Sequence, residues 1–300
     1  MKSHLLSTIA SVAALLFCSC SVQENPRTIE DFNFAWRFSL GDDTSWSSPE
    51  FNDASWRSLH LPHDWSIEGE FSIDNPSTPG GGALPGGIGW YRKSFTTPDA
   101  EKVFVEFDGV FMNSTVYVNG KEAGTRPYGY SSFSYDITPL LNPAGEDNVI
   151  AVRCDNEEQP NSRWYSGGGL YRDVSIYYVP ETHILPRKFG IRTKDYKTGE
   201  IEIRSKFSHP TTSHLVIRDR DGNIVLDKNY EENDSFQAIE TIKNPNLWSI
   251  DHPYLYTATL SIEGQEETIR FGIRQIELNV EQGLLLNGEK TILYGACIHS

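Results

Sequence analysis

Cysteine is scarce in this sequence, and its distribution excludes a disulfide scaffold. The 300 residues contain four cysteines, of which only Cys154 and Cys297 lie beyond the first 20 residues. These two are far apart and have no histidine or cysteine at metal-ligand spacing beside them, so neither a disulfide framework nor a zinc site is predicted. Their apolar neighbours indicate small core residues. The residues present imply no metal and no cofactor.

Basic residues are also few. There are 26 Lys and Arg against 41 Asp and Glu, which gives a formal net charge of -15 at pH 7. Such a charge repels phosphate backbones and anionic lipid headgroups, which argues against nucleic-acid binding and electrostatic membrane association. A neutral ligand fits better, and the aromatic content of 12% is a first indication of sugar binding.

Apolar runs long enough to span a membrane are missing as well. Residues 1–20 combine the basic Lys2 with an apolar stretch from Ile9 to Phe17 that is too short for a mature transmembrane helix. We interpret this segment as an export signal. Cys20 follows a small residue and precedes polar ones, which resembles the processing site of a bacterial lipoprotein. We expect lipidation at Cys20, with a periplasmic or outer-membrane-anchored protein as the result; ordinary signal cleavage is the alternative.

A sustained helical period is absent after the signal, whereas short apolar or alternating runs bounded by turn residues recur throughout. The chain is therefore predicted to be mainly β. Val103–Val110 alternates as a strand packed on one face would. Asn119-Gly120 lies between two such runs and predicts a hairpin, because both residues tolerate positive φ.

A second block of short strands follows Pro180 and suits an immunoglobulin-like sandwich of about 100 residues. Asp221-Gly222 provides one of its turns. The predicted strands are Ile201–Phe207, Leu215–Arg218, Ile224–Leu226, Phe236–Ile242 and Tyr254–Ile262.

The last segment contains a second Asn-Gly turn, at Asn287-Gly288, followed by the apolar run Ile292–Ile298. We expect this run to form a strand. Such a strand needs cover on its faces, and no later residue of the sequence provides it.

Four segments resemble glycoside hydrolase family 2, most closely its bacterial β-galactosidase-like members. They occur in the family's order and together cover about residues 27–300. The segments are LPHDWSIEG with GGIGWYRKSF (Leu61–Gly69 and Gly86–Phe95), Phe107–Thr138, SRWYSGGGLYRDV (Ser162–Val174), and Asn244–Leu260 with its continuation through FGIRQIE to the end.

The resemblance implies a domain order. Residues 1–20 are the signal, 27–180 a jelly-roll sugar-binding domain, 183–275 an immunoglobulin-like β-sandwich, and 276–300 the truncated start of a TIM barrel. A TIM barrel needs roughly 250 residues and carries its catalytic groups at the C-terminal ends of its strands. Both catalytic glutamates of the family lie on later strands. We therefore expect no catalytic residue in this chain, which lacks its C-terminal barrel.

The carboxylates in this sequence do not replace the two catalytic glutamates of the family. Retaining hydrolysis uses a nucleophile and a general acid about 5–5.5 Å apart. None of Glu157, Glu158, Glu266 and Glu267 belongs to a catalytic motif of the family, and their polar surroundings predict solvated surface positions.

Asp64 is the first candidate for substrate binding. In the family its loop reaches toward the barrel mouth, where an aspartate accepts hydrogen bonds from the hydroxyls of a terminal sugar. The alternative is that Asp64 caps a turn through its own backbone while Trp65 is a core residue.

Arg163 and Trp164 are the second candidates. Arg163 offers five donors for vicinal hydroxyls, and Trp164 offers a ring face for a pyranose. The alternative for Trp164 is that it seals the interface between sandwich and barrel. Some relatives carry an aspartate near this point, where this chain reads Asn161-Ser162, and this difference leaves the sugar preference open.

Two further features complete the site. Gly167, Gly168 and Gly169 lack the lysine and the following helix of a phosphate loop, so they predict a tight turn with close backbone approach. The resemblance implies that His299, at the end of the first barrel strand, hydrogen-bonds the sugar.

These observations predict the N-terminal portion of a retaining, exo-acting β-galactosidase-like hydrolase that acts on the terminal β-linked sugar of a glycan. This chain alone is expected to be inactive. Two alternatives stay open: an exported non-catalytic carbohydrate-binding module, and the same architecture with β-glucuronidase or β-mannosidase specificity.

Overall fold

The computed structural model describes residues 26–296, and this part of the chain is built almost wholly from β-strands. Its helices are four single 3₁₀ turns, Thr44–Ser47, Ser66–Glu68, Pro79–Gly81 and Thr138–Leu140. The predicted mainly β fold is therefore confirmed. The signal segment, Cys18, Cys20, Cys297 and His299 lie outside the described residues.

The first ten strands form two antiparallel sheets. One sheet has the order β1-β10-β5-β8 and the other the order β3-β2-β4-β9-β6-β7. The strands are β1 (Thr28–Asp31), β2 (Trp36–Leu40), β3 (Arg57–Leu59), β4 (Gly87–Thr96), β5 (Lys102–Phe107), β6 (Ser114–Val118), β7 (Lys121–Arg126), β8 (Phe133–Asp136), β9 (Asp147–Asn156) and β10 (Val174–Val179).

Both sheets contribute to one apolar core. In β6 the side chains alternate between buried and half-buried, as expected for a strand with one face toward a core. Trp36, Tyr91 and Phe107 are fully buried members of this core. Cys154 on β9 is also fully buried, which confirms its predicted core role.

The hairpin turns predicted from Asn-Gly pairs are confirmed. Asn119 and Gly120 connect β6 to β7 with φ of 49° and 76°. Asn287 and Gly288 have φ of 52° and 80° and connect the last two strands of the chain. Positive φ at both central positions gives the turn a twist that matches the flanking strands.

A second core lies in a five-stranded antiparallel sheet of order β11-β12-β14-β15, with β13 pairing to β12. Its first strand pairs with the N-terminal half of β12, and β14 pairs with the C-terminal half. The strands are β11 (Gly190–Asp195), β12 (Glu200–Arg218), β13 (Ile224–Thr241), β14 (Tyr256–Ile262) and β15 (Gln265–Phe271).

Two pairs of short strands predicted here are in fact two long strands. The runs 201–207 and 215–218 are parts of β12, and 224–226 and 236–242 belong largely to β13. The register between β12 and β13 shifts around Lys206 and Thr211. Pro210 lies in this irregular stretch, where a missing N–H is tolerated, so it marks a bulge and not the end of a strand.

The last three strands form a small separate sheet: β16 (Ile276–Asn279), β17 (Gly283–Leu286) and β18 (Glu289–Lys290). The barrel strand predicted for Ile292–Ile298 is not formed in its described part, where residues 291–296 have no strand structure and Tyr294 is 91% exposed. An isolated apolar segment has no neighbouring strand to satisfy its backbone groups, which explains the difference.

Polar contacts join the two sandwiches. Arg27, which precedes β1, donates from Nη1 to the carbonyl of Ile184 (2.8 Å) and pairs through Nη2 with Glu267 on β15 (3.0 Å). Burial raises the pKa of Glu267, and Arg27 offsets part of that rise. The predicted solvent exposure is therefore wrong for Glu267, whereas Glu157, Glu158 and Glu266 are exposed as predicted. The domain limits at 180 and 275 stay a prediction.

Candidate sugar-binding site

Strand registers bring the candidate loops to one end of the first sandwich. β4 begins at Gly87 opposite Asn156, where β9 ends. β6 begins at Ser114 opposite Arg126, where β7 ends, and β6 lies beside β9. The loops that meet at this end are 60–86, 108–113, 127–132 and 157–173.

Asp64 connects two of these loops. Its Oδ1 accepts a hydrogen bond from the backbone N–H of Ser66 (3.0 Å) and another from that of Gly168 (2.9 Å). Its Oδ2 accepts from the hydroxyl of Tyr165. The Ser66 bond is the turn cap weighed as an alternative, and Trp65 is buried as that alternative requires. The carboxylate also fixes the 161–168 segment, which turn capping alone does not explain.

The glycine run makes this close approach feasible. A Cβ on Gly167 would lie 2.7 Å from Asp64 Oδ2, and one on Gly169 would lie 2.2 Å from the hydroxyl of Tyr91. Gly167 and Gly169 also have φ of 79° and 110°, which L side chains rarely adopt. The predicted tight turn with close backbone approach is confirmed.

Amide side chains hold the preceding part of the loop. Asn156 is buried, donates to the carbonyl of Gly167 (2.7 Å) and accepts from the amides of Gln159 and Asn161 (2.7 Å each). Asn161 therefore helps to hold the loop's conformation.

Arg163 and Trp164 lie on the same segment as the partners of Asp64, so Asp64 and Arg163 occupy the same end of the sandwich. Arg163 is exposed and has no ion-pair partner within residues 26–296. Trp164 is 55% exposed, and its Nε1 donates to the hydroxyl of Tyr130 (3.2 Å). The structure thus brings three of the four predicted residues together, and the fourth, His299, lies outside the described part.

His63 directly precedes Asp64, and both of its ring nitrogens have polar neighbours. Its Nδ1 is 2.7 Å from the Tyr91 hydroxyl and its Nε2 is 3.3 Å from Glu68 Oε1. Arg57 donates to the same Glu68 oxygen (2.9 Å). Burial lowers the pKa of His63, with the Glu68 carboxylate opposing the shift. The environment of His63 therefore favours its neutral form.

Sequence reasoning missed two aromatic residues of this end, Tyr165 and Tyr130. Burial and the hydrogen bond to Asp64 raise the pKa of Tyr165, so its phenol keeps its proton as a donor. The signal for Tyr165 was its position directly after Trp164. No local signal identified Tyr130, because its contact with Trp164 joins residues 34 apart in the sequence.

Within residues 26–296 no three His, Cys, Asp or Glu side chains are grouped so as to hold a metal ion. No helix in the same range is long and apolar enough to cross a membrane.

Comparisons of the sequence and the structure with known proteins point to the same family. Residues 182–274 match the family model described as glycosyl hydrolases family 2. The chain is 43% identical to the β-galactosidase BoGH2A of Bacteroides ovatus, over 94% of the chain and 36% of that protein. It is 36% identical to a putative β-glucuronidase of Formosa agariphila, over 96% of the chain and 29% of that protein.

A solved structure of a glycosyl hydrolase family 2 member from Bacteroides cellulosilyticus superimposes with a TM-score of 0.81 at 31% identity, over 90% of this chain and 38% of that one. The chain thus spans about a third of the length of the curated relatives it matches.

Proposed function

Because the chain belongs to glycoside hydrolase family 2, we propose that it forms the N-terminal part of a retaining, exo-acting glycosidase of the β-galactosidase type. The two carboxyl groups of retaining hydrolysis then belong to a C-terminal barrel outside this sequence. This chain contributes the edge of the pocket for the terminal β-linked sugar and has no turnover alone.

One observation carries the proposal: a half-buried carboxylate, an exposed indole and a guanidinium without an ion-pair partner among residues 26–296 lie at one end of the first sandwich. Asp64 is already fixed by Ser66, Gly168 and Tyr165, so the remaining lone pair on Oδ2 is positioned before a ligand arrives. Fixed acceptors beside an aromatic face suit a neutral pyranose, which has hydroxyl groups at its rim and C–H groups on its faces.

The test compares two proteins on 4-nitrophenyl β-galactoside. Residues 1–300 are expected to show no turnover, because a general acid alone contributes about 10² to 10⁴ in rate. The product of the complete reading frame is expected to hydrolyse the substrate. Turnover by residues 1–300, after host galactosidase is excluded, would contradict the absence of catalytic residues. A complete product that cleaves no β-glycoside would instead favour the non-catalytic binding module.

β-Glucuronidase specificity is the second candidate. Arg163 favours it, because an exposed guanidinium that has no ion-pair partner in the described part of the chain suits the carboxylate of a uronic acid. The relative named as a putative β-glucuronidase gives further support. Turnover of 4-nitrophenyl β-glucuronide, lost in Arg163→Met while galactoside turnover is kept, would assign this specificity.

Export and lipidation at Cys20 are part of the proposal and rest on the sequence pattern of residues 1–20. Radiolabelled palmitate should be incorporated into the expressed protein and lost in Cys20→Ser. Equal incorporation in both proteins would refute Cys20 as the modified residue, and secretion without incorporation would favour ordinary signal cleavage.

A further inference from the structure

Exposed aromatic rings extend away from the Asp64 loop, and two of them, Tyr128 and Tyr130, have no role in the site described so far. Tyr128 is 58% exposed, Tyr130 39% and Trp164 55%. Tyr128 and Tyr130 belong to the 127–132 loop between β7 and β8, and Trp164 belongs to the loop after β9. The three residues, which we call the aromatic platform, thus come from two loops at the same end of the sandwich.

The rings of the aromatic platform are held by specific contacts. Trp164 Nε1 donates to the Tyr130 hydroxyl at 3.2 Å. The Tyr130 ring contacts Phe111 (centroids 5.2 Å apart, interplanar angle 63°) and Tyr128 (5.6 Å, 64°). Because the indole N–H is already bonded to Tyr130, the exposed Trp164 ring offers a ligand mainly apolar contact.

The backbone under the rings is fixed as well. The Tyr171 hydroxyl donates to the carbonyl of Gly129 at 2.9 Å, and the Asn113 N–H donates to the carbonyl of Pro127 at 3.2 Å. A Cβ on Gly129 would lie 2.3 Å from the Phe111 ring, so only glycine allows this approach. A preformed platform loses little conformational entropy when a ligand binds.

The chemistry of the platform selects its ligand. The Tyr130 hydroxyl accepts from Trp164 and still has its own proton to donate. An apolar ring face next to such a hydroxyl matches a pyranose, with C–H groups on its face and hydroxyls at its rim. The net charge of -15 disfavours polyanions.

We propose that the aromatic platform is a second sugar subsite, which binds a neutral pyranose further along the glycan than the terminal sugar. The proposal rests on the proposed function, because it takes the Asp64 end as the place of the terminal sugar. The subsite makes the protein prefer an oligosaccharide over a monosaccharide with the same terminal unit.

The test measures binding of two probes to the 300-residue chain by saturation-transfer difference NMR titration: methyl β-D-galactopyranoside and a neutral tetrasaccharide with a terminal β-galactosyl unit. The tetrasaccharide is expected to bind more tightly. Tyr128→Ala should weaken tetrasaccharide binding by about three- to tenfold and leave the monosaccharide unchanged. Trp164→Ala should weaken binding of both probes, because its indole also borders the terminal sugar. Tyr130→Phe should weaken tetrasaccharide binding less than Tyr128→Ala, because the ring remains.

Phe71→Ala is the matched control, because Phe71 is an exposed aromatic residue (69%) in a neighbouring loop outside the platform. It should change neither affinity, and equal melting temperatures show that each variant is folded. Equal tetrasaccharide affinity in Tyr128→Ala and the unsubstituted chain overturns the subsite, as does the absence of any tetrasaccharide binding. If the subsite is overturned but the product of the complete reading frame hydrolyses 4-nitrophenyl β-galactoside, the proposed function stands. If the platform binds the tetrasaccharide but the complete product shows no hydrolysis, the proposed function is refuted and the subsite stands.

Discussion

Removal of the Asp64 carboxylate should destabilise the first sandwich measurably. In Asp64→Ala the N–H groups of Ser66 and Gly168 and the hydroxyl of Tyr165 lose their acceptor. Hydrogen bonds to charged groups contribute about 1.5–3 kcal/mol each. Tyr165 is 40% exposed, so water replaces most of its bond, and the two backbone bonds are only part-buried. We therefore expect a loss of about 2–4 kcal/mol.

Tryptophan fluorescence is the appropriate assay, because six of the seven tryptophans lie between residues 36 and 164 and only Trp248 lies in the second sandwich. The fluorescence-detected melting temperature should fall by roughly 4–16 °C, at about 2–4 °C per kcal/mol for a unit of this size. The melting temperature of Asp64→Asn should fall less than that of Asp64→Ala, because the amide oxygen can still accept from the N–H groups of Ser66 and Gly168.

The control is Asp43→Ala. Asp43 also caps a turn, through Ser45 N–H at 2.8 Å, but it is exposed and holds no second loop. Its loss should cost below about 1 kcal/mol. If Asp64→Ala and Asp43→Ala destabilise the sandwich equally, Asp64 does not connect the two loops energetically.

Three further predictions concern buried groups near the site. Gly169→Ala should lower the free energy of unfolding in urea by more than about 2 kcal/mol, because its Cβ would lie 2.2 Å from the Tyr91 hydroxyl. Gly145 also has a positive φ but lies in open space, so Gly145→Ala should lower it by only about 1 kcal/mol. Equal losses in the two variants would refute the packing argument. Burial raises the pKa of the Cys154 thiol, so peptide mapping after iodoacetamide should find Cys154 unmodified in native protein and modified in urea; native labelling would contradict its burial. Burial lowers the pKa of His63, so the folded state disfavours the protonated imidazole. The contribution of His63 to the free energy of unfolding is therefore fully present above the unfolded pKa of about 6.5 and is lost as pH falls through the folded pKa. Proton NMR of the imidazole should give a midpoint below 6.5, and His63→Gln should flatten the pH dependence of stability near pH 6; a midpoint above 6.5 would contradict this.

Structural features that depend only on neighbouring residues could be predicted from the sequence. The Asn119-Gly120 turn follows from the φ that two adjacent residues tolerate. The length of β12 was not predicted, because its continuity from Glu200 to Arg218 depends on pairing with β13, which the local sequence does not show.

Contacts between distant residues limited the prediction of the site. Asp64 was identified, but its second role depends on Tyr165 and Gly168, which follow about a hundred residues later. The burial of Glu267 depends on Arg27, which is 240 residues earlier in the chain. Alternation in β15 gives no indication of such a partner.

The most direct test of the central claim measures kcat/KM of the complete reading frame's product on 4-nitrophenyl β-galactoside, with Asp64→Asn beside Asp43→Asn. Asp64→Asn keeps the acceptor for both loop amides but removes the charge, so we expect folded protein with kcat/KM reduced by about 10- to 100-fold. Asp43→Asn should match the unsubstituted enzyme. An Asp64→Asn enzyme with unchanged kcat/KM would contradict the placement of the terminal sugar at this end of the sandwich.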